Sequence, residues 1–377
     1  MKIKSTISRV LLVLFVPLLL PFSAMAHNNR DIGAVYTMTN AVDGNKVLMF
    51  SRDHTGKLTA AGEFDTGGLG TGAGLGNQGA LILDPENRWL FVVNPGTDDI
   101  SVFSVEHRGL SLVDQVASNG HLPISLSYSH NMLYVLNAGG NDVGGTDSIS
   151  GFRVASDGAL SAIPGSSRPL SGESTGPAQV QFNGDGDVLV VTEKGTNLID
   201  TFVLDADGVP GTANSQLSVG VTPFGFAFGK RDQLFVSEAA GGAPGQGSVS
   251  SYSLSKDGTL NVISSAEATT ETAACWVVVS SDGRFAYTTN AGSGSVSGYR
   301  IGFDGDISLL DPNGRTGLTG KDSVPVDMAL SNDGRNLYTL NAGNATISAF
   351  RVGHNGGLHR LRTLKNLPAT VNGLAAR

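Results

Sequence analysis

The chain has 377 residues, of which 40% are hydrophobic and 15% charged, with 51 glycines, one cysteine and a formal net charge of −8. An acidic balance repels phosphate backbones and anionic lipid, which argues against nucleic acid and membrane surfaces as partners. The lone Cys275 excludes an internal disulfide and a Cys-rich zinc site.

Residues 1–26 read as a secretory signal peptide. Lys2, Lys4 and Arg9 precede an apolar run interrupted by Pro17, and Ala24-Met25-Ala26 offers small residues for cleavage. The run is short for a membrane anchor. The expectation is an exported chain, periplasmic or extracellular, whose folded domain spans 27–377. Without those three cations the 25 basic residues fall to 22 against 33 acidic ones.

From there one unit is written seven times. A tight turn ending in glycine recurs at Gly56, Gly109, Gly158, Gly208, Gly258, Gly305 and Gly356, about fifty residues apart. In phase with it run "AVYTMTN", "LFVVNPG", "LYVLNAGG", "LVVTEKG", "LFVSEAAGG", "AYTTNAGSG" and "LYTLNAGN". A third strand such as "ISVFSV" and an apolar segment often opened by proline, such as "GPAQVQF" or "VPVDMAL", complete each unit. Four antiparallel strands repeated seven times predict an all-β, seven-bladed β-propeller. The first unit lacks an inner strand and "LPATVNGLAA" near the end supplies one, so the C-terminal strand is expected to join the first blade and close the ring.

Strand direction alternates within a blade, so connections alternate between two faces. Turns such as "DPENR", "NGDGD" and "SSDGR" are short and share one face. The long connections from Thr66, Asn137 and Glu238 share the other, and functional residues are expected there, around the central channel. The glycine-rich "TGGLGTGAGLGNQGA" of residues 66–80 leads into a strand with no helix and no following lysine, which excludes a phosphate-cradling loop.

The "LYVLNAGG" series with its fifty-residue turns resembles the β-propeller lactonase family. That family includes bacterial 6-phosphogluconolactonases and fungal 3-carboxy-cis,cis-muconate lactonizing enzymes. "GAVYTMTNAVDGNKVLMF" together with "GGLGTGAGLGNQGALIL" is similar to an exported branch described as 3-carboxymuconate cyclase-like. The resemblance implies lactone chemistry at the channel without a cofactor. Where family enzymes have His-x-His opening an inner strand, this chain has Gly176-Pro177-Ala178. For their Pro-Arg-His it has Pro223-Phe224-Gly225, with Glu238-Ala239 ending the next strand. One blade on, it has Ala274-Cys275-Trp276 and Asn290-Ala291.

Candidate residues follow from position and chemistry. Glu193 and Glu238 end second strands where most blades have Asn, and two carboxyls facing the channel could divide acid and base roles; each could instead cap a turn or pair with a lysine such as Lys194. His121, before Pro123, is the one histidine placed near an inner-strand start on the long-loop face, and is the candidate proton carrier. Gln78 and Gln179 could orient a substrate carbonyl or simply line a wet channel. Trp276 could stack on a sugar or lactone ring or pack between blades, and Asn137 and Asn290 are further binding candidates. Asp142 and Asp147 could hold a hard cation but lack the spacing of a recognised calcium loop, so no metal is expected. Cys275 has no visible base beside it and reads as an inert buried thiol.

Two functions are carried forward. One is a hydrolase acting as a monomer on a small lactone or sugar-like ligand at the long-loop face. The other is a non-catalytic binding or scaffold propeller of the cell envelope. Convergence of Glu193, Glu238, His121 and Gln179 on one pocket would favour the first.

Overall fold

Each inner strand is the second-buried layer's partner on one side and the channel wall on the other, and that geometry orders everything outside it. A computed structural model describes residues 31–140 and 145–377. It shows seven antiparallel sheets, each running from an inner strand to an outer one. The signal-peptide reading and Asp142 lie outside the described residues. Residues 31–377 form one unit, and among the described residues the only helices are 3-10 turns at Ala240–Gly242 and Ala342–Asn344.

The ring closes as the repeat requires. Asp31–Met38 is the second strand of blade one and pairs with Asn372–Ala376, which is the inner strand. The seam is reinforced by Thr37 Oγ1, which donates to Asn372 O at 3.2 Å, and by buried Arg52, whose Nε and Nη2 donate to Arg377 O.

The second strands of blades two to seven are buried along their whole length, as in Trp89–Asn94, Met132–Asn137 and Asn336–Asn341. Blades pack face to face, so both faces of these strands are core. That is why they read as unbroken apolar runs rather than alternating ones. Outer strands alternate or are exposed, as in Leu58–Asp65 and Leu110–Ala117.

Two blades depart from the expected four strands. In blade three the outer layer is split into Leu160–Ala162 and Arg168–Pro169, and in blade six into Ile307–Leu309 and Gly317–Leu318. Each gap contains a Pro and a Gly (Pro164-Gly165; Pro312 and Gly314), which interrupt a strand without ending its pairing to the third strand.

The repeated turn is also a stitch between blades. Second-strand Tyr134, Tyr287 and Tyr338 donate to the turn carbonyls of Gly208, Gly356 and Gly56 in the following blade, at 2.6, 2.9 and 3.0 Å. Those glycines have φ of 73°, 86° and 86°, conformations that suit glycine. The turn at Gly109 is one residue tighter, closing from Glu106 N to Gly109 O, whereas Ala155 N closes on Ala159 O. The hydroxyl of Tyr36, the preceding blade's tyrosine, is buried without a partner.

Candidate active site

Several inner strands are buried where they begin and more exposed where they end. Pro123–Ser129 is buried through Ser127 and half-buried after it, and Ala274–Val279 and Pro223–Phe228 follow the same gradient. The channel therefore opens at the ends of the inner strands, on the short-turn face. It encloses about 500 Å³, lined by all seven inner strands and, at the mouth, by Asp84, Pro85, Asn87 and Asn332. No described residue of the long connections that follow the second strands lines it.

The polar groups in this cavity have distinct tasks. Asp327 is buried, its Oδ1 accepts from Met328 N at 2.7 Å and its Oδ2 from Leu374 N at 2.9 Å, which ties blade seven to blade one. Burial drives its carboxyl well above the ordinary carboxylate range. Ser127 Oγ accepts from Phe182 N at 2.9 Å. Gln181 Oε1 accepts from Gln179 Nε2 at 3.3 Å, which leaves the Gln181 N–H groups for a ligand. Tyr128 stands at the mouth with its hydroxyl donating to Asn131 at 3.0 Å.

Asp84 differs from these. Its Oδ1 accepts from Arg88 N and Trp89 N at 2.6 and 2.7 Å, while its Oδ2 has no hydrogen-bond partner and lies 3.4 Å from Arg88 Nε. Burial raises its pKa despite the two N–H donors and the guanidinium. Asp84 is buried and its unpartnered Oδ2 carries almost no exposed surface, so this carboxyl, anchored at one oxygen and shifted towards neutrality, is suited to proton transfer once the mouth opens locally around it.

The opposite end is closed by the glycine-rich connection. Gln78 N donates to Ala178 O of blade four at 3.1 Å, and Asn77 Nδ2 donates to Ile124 O of blade three. Trp276 Nε1 of blade six donates to Asn77 O, and Lys194 Nζ donates to Gly76 O and Pro177 O. Gln78 spans to blade six, where Nε2 donates to Val277 O at 2.8 Å and Oε1 accepts from Val277 N at 3.1 Å. Asn77 and Trp276 are buried beneath this crossing.

The residues anticipated from sequence do not converge. Glu193 and Glu238 are buried off the channel, and neither lines it. Glu193 accepts from Ser171 N and Oγ and from Thr196 Oγ1, and its acidic neighbour is Asp200 on the next strand. Burial and then Glu193 push Asp200 up to about 7. Lys194 does not pair with Glu193; it turns to the glycine-rich connection and over the Phe224 ring, and burial lowers it to about 8. Glu238 Oε2 accepts from Ser248 Oγ at 2.7 Å, and burial pushes Glu238 up to about 7.

Both acids occupy a position with a shared structural task. In blades two, six and seven the residue ending the second strand is Asn94, Asn290 or Asn341, whose Nδ2 donates to side chains five and seven residues later on the third strand. Asn290 is thus a buried support of this corner, and Asn137 is buried with its amide donating to Ser118 O; neither lines the channel. His121 is exposed, 2.8 Å from Asp98 Oδ2, away from the cavity. Trp276 packs against Phe224 with centroids 5.0 Å apart and takes no part in the cavity wall. Gln78 and Gln179 do line the channel, but both spend their amides on the neighbouring main chain; Gln179 holds Phe226 O and N at 2.9 and 2.7 Å. Asp147 is consumed by Gly140 N, Thr175 N and Thr175 Oγ1. Cys275 is buried, and burial pushes its thiol up to about 12.

Sequence reasoning passed over Asp84, Tyr128 and Gln181. The signal was present: "ALILD" and "LPISLSYS" end on the short-turn side with polar side chains in otherwise apolar inner strands.

The architecture has relatives. The chain matches the family model described as Lactonase, 7-bladed beta-propeller, over residues 33–163 and 212–325. No curated protein matches it. Among solved structures it is similar to the periplasmic gluconolactonase of Pseudomonas aeruginosa, at 16% identity and a TM-score of 0.72 over 91% of this chain and 99% of that one. It is similar also to a Lactobacillus plantarum protein, at 15% identity and a TM-score of 0.71 over 92% and 99%. A Bacteroides fragilis protein described provisionally as a 6-phosphogluconolactonase aligns at 19% identity and a TM-score of 0.69 over 92% and 98%. At such identities the likeness carries the fold.

Proposed function

Because this chain belongs to the seven-bladed β-propeller lactonase family, we propose that it hydrolyses a small lactone bound in the central channel and admitted from the short-turn face. The observation that carries the reading is Asp84 at the mouth of the cavity, with Oδ1 held by two main-chain N–H groups and Oδ2 free of hydrogen bonds.

In this mechanism a local opening at the mouth exposes Asp84 Oδ2, and water adds through oxygen to the ring carbonyl carbon and gives a proton to that oxygen. The developing oxyanion takes its hydrogen bonds from the Gln181 side-chain N–H groups. The ring C–O bond then breaks, the departing alkoxide recovers the proton from Asp84, and the product is a hydroxy acid. Arg88, 3.4 Å from Oδ2, favours the ionised base and draws the nascent carboxylate out of the channel. We also propose export, which rests on the amino-terminal composition; mass spectrometry of the periplasmic or extracellular protein should find Ala26 absent and His27 first.

Proton release from a panel of lactones tests the activity. Asp84→Asn keeps the Oδ1 acceptor and removes the base, and should lower kcat/KM by about 100-fold or more. His121→Ala, exposed and off the channel, should leave it unchanged. Full activity in Asp84→Asn, or none from the folded native chain across the panel, would overturn the reading.

A further inference from the structure

Three inner strands carry a side-chain latch to the next blade, and blade five lacks it in a way that another part of the chain makes good. Just inside the proline that opens the strand, a side chain of one blade holds the main chain of the next: Ser125 Oγ accepts from Val180 N at 3.2 Å, Gln179 grips Phe226 N and O, and Asp327 accepts from Leu374 N. The equivalent residue of blade five is Gly225, which has no side chain to offer to blade six. The missing bond is made from across the ring. Gln78 grips Val277 N and O, the same two-point bond that Gln179 makes one blade earlier, and a Cβ on Gly225 would strike Gln78 Oε1.

We propose that Gln78 is a specificity-determining residue: seated in the space left by Gly225, it forms the blind end of the lactone pocket and limits the length of substrate the channel admits. This rests on the channel reading above. Gln78 lines the cavity directly, and the connection that carries it is fastened to blades three, four and six, so it closes the far end as a rigid floor. The space beside it is tight: a Cβ on Gly225 would meet Cys275 O and Trp276 Cα as well as Gln78 Oε1. Gln78 brings no charge to the floor, and its amide is already bonded to the Val277 main chain. The substrate class is therefore a compact lactone whose charged or branching groups point back towards the short-turn mouth.

Two variants release the floor by different routes. Gly225→Gln drives a side chain into the place of Gln78, although its Cβ also meets Cys275 O and Trp276 Cα, so circular dichroism first establishes that it folds; Gln78→Ala removes the gripping amide while keeping Gly225. On the mature full-length chain, hydrogen exchange at the Gln78 amide should be slow in the native protein and at least about tenfold faster in each variant, as expected when an amide leaves a closed structure. The ratio of kcat/KM for a lactone bearing a long acyl chain to that for the unsubstituted ring should rise at least about tenfold in both. An unchanged ratio with accelerated exchange would overturn the proposal and leave Gln78 a purely structural strap. Exchange at Gln78 that stays slow in both folded variants would overturn it too. Accelerated exchange with no lactone hydrolysed even by the native chain would show that the channel reading itself had failed, taking the proposal with it.

Discussion

Four tyrosines at equivalent places show how far a single hydroxyl matters. Tyr134, Tyr287 and Tyr338 each donate to a turn carbonyl in the next blade, and Tyr36 reaches none, because the turn at Gly109 is a residue tighter. Replacing a bonded hydroxyl should destabilise by about 1 kcal/mol, whereas removing an orphaned buried one should be neutral or stabilising. Chemical denaturation of Tyr134→Phe, Tyr338→Phe and Tyr36→Phe checks this, and equal losses in all three would refute the stitch. Glu238 carries a pH signature. Its pKa rises from 4.5 to about 7 on burial, so the folded chain holds a proton that the unfolded chain releases in that interval. Stability therefore falls as pH rises from about 4.5 to about 7, by at most about 3 kcal/mol from this group. Glu238→Gln should remove that share of the slope, measured as urea midpoints at pH 5 and pH 8. The Asn-or-Glu series was legible in the sequence as a pattern. Its task was not, because partners five and seven residues on become neighbours only once the second and third strands pair.

At the scale of the element, the glycines of the opening connection separate by what they touch. A Cβ on Gly68 would run into the Asn94 side chain, as one on Gly120 would into Asn137 and one on Gly220 into Glu238. This is one packing rule in three blades: the side chain ending the second strand is capped by a glycine entering an inner strand. Gly74, in the same connection as Gly68, meets nothing within 4 Å. Gly68→Ala should thus destabilise by about 1–3 kcal/mol, the usual range for overpacking, and Gly74→Ala by less than about 0.5 kcal/mol. Thermal melts of the pair decide it. Composition alone marked all these glycines equally; only the approach of a second strand distinguishes them.

At the scale of the molecule, the C-terminal strand is the closure. Asn372–Ala376 is buried throughout, supplies blade one with its inner strand, and gives Asp327 the Leu374 N–H that joins blade seven to blade one. A chain ending at residue 371 would lose five buried residues and open a sheet edge against the channel. The loss should exceed about 5 kcal/mol, more than one large buried side chain contributes, and lower Tm by more than about 10 °C. A truncated chain melting within a few degrees of the full one would show that the ring holds without its seam.

The repeat, the number of blades, the closure and the choice of which face carries long connections were all readable in order along the chain, because period, alternation and turn chemistry are local. The family followed from the same local runs. What the tertiary structure decided was which end of the channel is open. Functional residues were expected on the face of the long connections, yet the longest glycine-rich one is a floor, since Asn77 and Gln78 find their partners in Ile124, Ala178 and Val277, up to 199 residues away in the chain. Nothing local marks such a pairing: Gly225 looks like any other glycine until Gln78 occupies the space its missing side chain leaves.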